Sequence, residues 1–437
     1  IHQAILTAAA LPGTYRLYDT PADRLEETVC RLLRVLVGFN CTIPYKEAII
    51  PWLDGLDATA QRIRSVNTVY QGIGYNTDYA AFVSECPLEA GSRVLILGAG
   101  GVSRTMACAA AASGCEIWIA ARRPEQARRL AESIRRLYPG TRLICPESLE
   151  EWRCQAEKDR QGGVGGGWTI LNGTPVGLWP QTRAMPLQKS DLSFCDRVYD
   201  TIYNPVATGL VLAARSRGIL AGSGLGMLFS QALAAQKIWN PTAVFPEAAM
   251  RSIRQALARA IVRQFPLKIV LAGFMGSGKS TVGQLLARRL ELPFVDLDQE
   301  IEQAAGKTIP DIFAADGENA FRSLERQWLQ AVLARESSLI LATGGGALMA
   351  DDAQQVLSAA PALVVYLDLS LEDIKARVGS GRGRPMLAEK QSDSWAALYR
   401  LRRPRYAALA DLTANAGAPP DVVARAICIN LGLEGTL

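Results

Sequence analysis

Three groups of residues in this 437-residue chain have the types and spacing that chemistry needs. The first is Gly273-Phe274-Met275-Gly276-Ser277-Gly278-Lys279-Ser280, a G-x-x-x-x-G-K-S run behind the apolar stretch Lys268–Ala272. A strand entering a glycine turn that opens a helix lets backbone N–H groups converge on phosphate oxygens. Lys279 then reaches the outer phosphates and the Ser280 hydroxyl is placed to ligate Mg²⁺, with Gly276, Ser277, Gly278 and Thr281 completing the nucleotide contacts. The second group is Phe294-Val295-Asp296-Leu297-Asp298. Read as a strand, its alternation puts both carboxylates on one face, suited to a metal and a hydroxyl. The third is Val94-Leu95-Ile96-Leu97-Gly98-Ala99-Gly100-Gly101-Val102-Ser103-Arg104, a second glycine turn, in which Gly98, Gly100 and Gly101 would approach a pyrophosphate. The next apolar run, Glu116–Ala120, ends on Ala121, Arg122 and Arg123 rather than on an acid. Two guanidinium groups and no carboxylate suit a ribose 2′-phosphate, so NADP(H) is expected over NAD.

Composition narrows the chemistry further. The chain has one histidine, His2, and a terminal residue is the least suited to being held in a site. Ser-His-Asp hydrolysis, Cys-His proteolysis and His-ligated metals are excluded, and acid–base work falls to Lys, Asp, Glu or Tyr. Nine cysteines without a C-x-x-C pair write neither a zinc ribbon nor a redox motif, and free thiols fit a reducing cytoplasm. No apolar run approaches the roughly 18 residues of a membrane span. A net charge of +5 suits small anionic substrates and is too modest and dispersed for nucleic acid. The sequence leaves the oligomeric state open.

The elements that must position these groups alternate between strand-like and helical stretches, the pattern of parallel α/β sheets. Each glycine turn should begin its own nucleotide-binding unit, and the stretch from Val94 to Leu267 has room for a complete doubly wound sheet. A helical stretch from Pro246 to Gln264 runs into Pro266, which should stop it, so the boundary falls near Phe265. Ile5 to Leu11 lacks a basic flank and reads as an early helix rather than a signal peptide.

Further motifs follow the phosphate cradle in order: Gly317-Glu318-Asn319-Ala320-Phe321-Arg322-Ser323-Leu324-Glu325, then Gly344-Gly345-Gly346, then Gly383-Arg384-Pro385-Met386-Leu387. With D-x-D they make residues 267–437 resemble shikimate kinase. The resemblance implies that Asp298 holds the hydroxyls of shikimate and accepts the proton of its 3-hydroxyl, while Asp296 acts through Mg²⁺. Arg322 and Arg402 would grip the substrate carboxylate, a planar two-pronged match, and Gly345 and Gly346 would offer backbone N–H groups. Arg384 would ride a lid over ATP and steady the transferring phosphoryl group, with Arg377 near the base. The register of Arg402 rests on the R-x-P-x-Tyr406 pattern.

Residues from His2 to Arg263 resemble shikimate dehydrogenase. The match is carried by Gly38-Phe39-Asn40-Cys41-Thr42-Ile43-Pro44-Tyr45-Lys46, Ser65-Val66-Asn67-Thr68, Gly74-Tyr75-Asn76-Thr77-Asp78, Asn172-Gly173-Thr174-Pro175, Tyr199-Asp200-Thr201-Ile202-Tyr203-Asn204-Pro205 and Gly224-Leu225-Gly226-Met227-Leu228-Phe229-Ser230-Gln231. By that resemblance Lys46 and Asp78 are the catalytic pair, and Asn67, Gln231 and Tyr203 bind substrate. Thr174 and Gly224 would contact the cofactor, and Met227 would lie against the nicotinamide. A lysine ammonium beside a carboxylate can protonate an emerging alkoxide without histidine. The family's opening strand and Ser-x-Ser segment are not in this chain, which is expected to leave a sheet edge unpaired and the substrate anion without its usual donors. Tyr79-Ala80-Ala81 follows Asp78 where the family usually has glycine, and is expected to crowd the cleft.

Together the resemblances imply an α/β fold in four parts. A dehydrogenase substrate domain (1–86) leads into a Rossmann NADP domain (87–224) and helices completing the dehydrogenase (225–265). A P-loop, NMP-kinase-like parallel-sheet domain (267–437) follows. The implied function is a shikimate-pathway pair of enzymes acting in series on small molecules, with NADP(H), ATP and Mg²⁺. The alternatives are a kinase joined to an inactive dehydrogenase-like scaffold, and a quinate- or shikimate-sensing regulator without turnover.

Overall fold

The apolar runs that precede the two glycine turns both become inner strands of parallel sheets. The computed structural model describes residues 1–163, 166–378 and 392–434. The chain forms two compact units, one of Ile1–Pro175, Pro186–Tyr203 and Ile219–Leu257, the other of Val176–Met185, Asn204–Gly218 and Ala258–Leu437.

The first unit holds two sheets. Four short strands, β1 (Gly38–Asn40), β2 (Gly55–Leu56), β3 (Thr68–Tyr70) and β4 (Ile73–Tyr75), lie in the order β1-β3-β4-β2, with β1 at an edge. The larger sheet is built from β5 (Arg93–Leu97), β6 (Glu116–Ala120), β7 (Leu143–Ile144), β8 (Trp168–Asn172), β9 (Cys195–Asp200) and β10 (Leu220–Ser223). Its order is β10-β9-β8-β5-β6-β7, and every pair is parallel. All five residues of β5 are buried, as expected of a strand covered on both faces. Strand order reverses beside β5, and the crevice at such a switch point, outside the carboxyl ends of the strands, is where this architecture binds ligands.

The second unit contains β11 (Lys268–Ala272), β12 (Phe294–Asp296), β13 (Leu339–Ala342), β14 (Ala362–Asp368) and β15 (Leu412–Asn415), all parallel, in the order β12-β13-β11-β14-β15. One expectation is corrected here. Asp296 ends β12, and Asp298 lies in the first turn of the helix Leu297–Ala305, so the two carboxylates are not on one strand. Asp296 accepts the Asp298 N–H at 3.2 Å, which makes it the cap that ends the strand and starts the helix.

Two short segments complete the second unit. Trp179 Nε1 donates to Pro266 O at 2.9 Å, and Thr182 Oγ1 donates to Ala362 O at 3.1 Å. Arg183 bonds Asp411 Oδ2 at 2.5 Å and Leu409 O at 2.7 Å, and Asp411 also accepts the Val364 N–H of β14 at 2.8 Å. Arg215, ending the helix Gly209–Arg215, donates to Asn430 O.

His2 departs from expectation too. Only 8% exposed, it stacks on Tyr15 at 4.1 Å and bonds Gln236 at 3.2 Å in the helix Gly224–Trp239. The short helix His2–Ala8 docks through Ile5 on Phe229 and Met250, and this packing holds a residue that sequence position alone leaves loose. Tyr79 is partly buried and packs against the Rossmann core.

Candidate active sites

In the first unit the loop after β1 and the start of the helix Thr77–Glu85 meet at two charges. Lys46 Nζ lies 2.6 Å from Asp78 Oδ2, with side chains 27% and 17% exposed. Backbone bonding sets the approach, since Lys46 O accepts the Val66 N–H at 2.8 Å beside Asn67. Asn76 caps the helix, accepting the Tyr79 N–H at 3.0 Å while donating to Ser65 O at 2.8 Å, and so fixes where Asp78 enters the cleft. Asn67 is buried, donating to Thr77 Oγ1 at 3.0 Å and accepting the Thr77 N–H at 2.8 Å.

Gln231 is half-buried on the helix Gly224–Trp239 and donates to Leu228 O at 2.9 Å, so reaching a ligand requires its amide to turn from its own helix. Met227, on the same helix, is buried, and Tyr203 is 40% exposed. The Gly224 N–H bonds Ile202 O, holding the helix start against the end of β9.

The residues for a dinucleotide fit that ligand. The helix Gly101–Ala112 begins at the glycine turn with Gly100 as N-cap and no side-chain cap, leaving its first N–H groups for an anion. Gly98 bonds Ala120 O at 2.7 Å, joining the turn to the end of β6. Arg122 and Arg123 follow that end and are exposed. Across the crevice Thr174 bonds the buried Asn172 side chain through its N–H at 3.0 Å and its hydroxyl at 2.7 Å.

In the second unit one cavity of about 1110 Å³ gathers Gly276, Gly278, Lys279, Ser280, Thr281, Asp296, Asp298, Arg322, Gly345, Gly346, Arg377 and Arg402. Gly278 sits at φ +92°, a conformation that lets the loop turn its amides inward before the helix Lys279–Leu290 begins. The buried Ser277 lies at the base of this loop. Lys279 Nζ donates to Gly273 O at 2.9 Å and Phe274 O at 3.1 Å.

Ser280 Oγ lies 2.7 Å from Asp296 Oδ2, a pair of hard oxygen donors that fits Mg²⁺, which takes few protein ligands and keeps its waters. Asp298 is mostly buried, and burial, seconded by the Asp296 charge, raises its pKa above the ordinary carboxylate value.

Arg322 donates to Glu325 at 2.6 Å and to Glu318 at 3.3 Å. Arg402 is 5% exposed and donates to Gly345 O at 3.0 Å. Arg377 bonds Ala416 O at 2.8 Å. Arg384 and its motif lie outside the described residues.

A family model for the shikimate dehydrogenase substrate binding domain matches residues 1–69, and one for shikimate kinase matches residues 275–431. A shikimate dehydrogenase (NADP(+)) of Moorella thermoacetica is 35% identical over 271 residues, covering 59% of this chain and 88% of that protein. A shikimate kinase of Limosilactobacillus fermentum is 46% identical over 147 residues, covering 34% of this chain and 84% of that protein. The chain belongs to the shikimate dehydrogenase and shikimate kinase families. Among solved structures, a shikimate dehydrogenase in complex with NADP+ superposes with a TM-score of 0.50 at 29% identity, covering 59% of this chain and 89% of that one.

Glu325 in the kinase cavity and Tyr406 beside it are residues to which sequence reasoning gave no role. Glu325, 3% exposed, ends the G-E-x-x-F-R-x-x-E motif and lies under Arg322, its pKa raised by burial. Tyr406, used only for register, bonds Gly345 O and so shares that carbonyl with Arg402. Their signal was spacing: Glu325 lies one helical turn from Arg322, and Tyr406 one turn from Arg402. In the dehydrogenase family half, Thr77 was written as a motif letter, yet it is the group that orients Asn67.

Proposed function

We propose that the first unit interconverts 3-dehydroshikimate and shikimate with NADP(H), and that the second phosphorylates shikimate at its 3-hydroxyl with ATP and Mg²⁺. The observation that carries this reading is two sets of polar and charged groups: the Lys46–Asp78 pair at 2.6 Å, and Lys279, Ser280, Asp296, Asp298, Arg322 and Arg402 around one cavity.

In the reductive direction Lys46 gives a proton to the ketone oxygen as the alkoxide forms, and Asp78 holds the ammonium in place. The bound nicotinamide supplies the hydride. Asn67, held by Thr77, presents its amide to a ring hydroxyl, and Gln231 and Tyr203 close the cleft around the substrate. Arg122 and Arg123 hold the 2′-phosphate, while the turn at Gly98, Gly100 and Gly101, with Thr174, Gly224 and Met227, seats the rest of the cofactor.

In the kinase Asp298 takes the proton of the 3-hydroxyl, a task helped by its raised pKa. Lys279 exchanges its loop carbonyls for phosphate oxygens, and Arg322 and Arg402 hold the substrate carboxylate. Ser280 and Asp296 are the groups for Mg²⁺, which neutralises phosphate charge when bound. Gly345 and Gly346 line the substrate end of the cavity, and Thr281 and Arg377 the nucleotide end. Arg384 is assigned to the phosphoryl group by its motif.

The nine cysteines are all free, which supports a cytoplasmic location. Among the described residues no helix is long and apolar enough to cross a membrane.

The test follows NADPH absorbance with shikimate and NADP, and ADP release with shikimate and ATP, on the full chain. Lys46→Ala should abolish the first and spare the second, and Lys279→Ala the reverse. Absence of NADP reduction in the unaltered chain would overturn the dehydrogenase reading. Absence of shikimate-dependent ADP release would overturn the kinase reading.

A further inference from the structure

The helix Thr77–Glu85 carries a proposed catalytic residue, Asp78, in its first turn and ends with a carboxylate that the reaction does not use. Glu85 lies seven residues past Asp78, about 10 Å along the helix at 1.5 Å per residue. Its side chain is 17% exposed and is held from two other helices. Ser230 Oγ, on the helix Gly224–Trp239, donates to Glu85 Oε1 at 2.8 Å. Arg254, on the helix Glu247–Gln264, donates to both oxygens, at 3.3 and 3.0 Å.

The seat for this carboxylate is cut into the backbone. A Cβ on Gly226 would stand 1.9 Å from Glu85 Oε2 and 2.7 Å from Arg254 Nη2, so the glycine leaves a notch that the carboxylate fills. Immediately beneath, Phe82 meets the Tyr199 ring edge-on at 5.5 Å, and the buried Tyr199 phenol is kept protonated by burial and by the Glu85 charge.

The residues flanking this seat are those the reaction requires. Met227 follows Gly226, and Gln231 follows Ser230. A carboxylate fixed in the notch therefore sets where the helix of Met227 and Gln231 stands against the helix of Asp78. We infer that Glu85 is a positioning residue of the dehydrogenase, locking through Ser230, Arg254 and the Gly226 notch the alignment of nicotinamide and substrate with the Lys46–Asp78 pair. This inference rests on the proposed roles of Asp78, Met227 and Gln231.

The cofactor's phosphates are bound elsewhere, at the glycine turn and at Arg122 and Arg123, so loss of the lock should change hydride transfer and not NADP binding. Glu85→Ala in the full chain should lower kcat for NADP reduction about tenfold per NADP-binding site, with the NADP KM within about twofold. The deuterium isotope effect with shikimate labelled at the carbon that loses hydride should rise. Glu85→Gln, which still accepts from Ser230, should recover most of the rate. Gly226→Ala, which retains Glu85 but fills the notch and displaces its carboxylate, should reproduce the loss if Glu85→Ala does not fold. A purely structural role would reduce the number of NADP-binding sites and leave kcat per site and the isotope effect unchanged, and that result overturns the inference. If the unaltered chain shows no NADP reduction, the dehydrogenase reading falls and the inference falls with it; if it is active and the variants match it, only the positioning role is refuted.

Discussion

Asp298 shows how one side chain is tuned by its neighbours. Burial and Asp296 push its pKa up, while Lys279 and Arg322 pull it down, leaving a carboxylate more basic than an exposed one. Asp298→Asn keeps the shape and removes the base, so kcat for phosphorylation should fall roughly 100-fold or more, as ADP release will show.

His2 is tuned in the opposite sense, its pKa lowered to about 4 chiefly by burial. Below pH ~6.5 the unfolded chain takes up a proton that the folded chain refuses until about pH 4, so stability is lost across that window by about 1.4 kcal/mol per pH unit. His2→Gln should flatten this dependence, with its advantage over the unaltered chain growing as pH falls, as denaturant midpoints at several pH values will show.

The chemistry of these residues was legible in the sequence wherever one motif held both the group and its reason, as at Lys279 and Ser280. It was not legible for His2, whose burial comes from Tyr15 and Gln236, residues that no local pattern connects to it.

At the scale of elements, helix starts carry most of the positioning. The Asn76 side chain caps the helix of Asp78 and ties it to Ser65. Asn76→Ala should cost about 1 kcal/mol of stability in the first unit and also reduce NADP reduction, because the cap sets the direction of Asp78. The end of β6 makes a parallel case. Arg122→Ala and Arg123→Ala should each raise the NADP KM about tenfold or more and leave NAD turnover nearly unchanged, the cost of one charge-assisted contact.

Strand positions followed from apolar runs bounded by glycine or proline, and β5, β6 and β11 lie where those runs put them. Asp298 did not follow, because a D-x-D at a strand end reads equally well as continued strand or as strand and cap. The Asp296 hydrogen bond decides between them.

At the scale of the whole molecule, a linear reading places each domain in one continuous stretch, whereas the second unit draws on two earlier segments. No periodicity announces this, since Trp179, Thr182 and Arg183 sit in a loop whose partners are backbone carbonyls and one acid far along the chain. The Arg183–Asp411 pair is 8% and 7% exposed, and a buried charge stripped of its partner typically costs about 3–5 kcal/mol. Arg183→Ala should therefore destabilise the second unit by about that much, read as earlier loss of kinase activity in urea, with NADP reduction at low urea unaffected.

The same pair bears on synthesis. Arg183 emerges from the ribosome 228 residues before Asp411, an interval of about 11–46 s at roughly 5–20 residues per second. Throughout that wait its guanidinium lacks its carboxylate, and once β14 is made its Val364 N–H waits a further 47 residues for the same group. The nascent kinase sheet thus stays unsealed at this carboxylate until Asp411 emerges, and slowing translation between β14 and Asp411 should lengthen its exposure to chaperones and proteases.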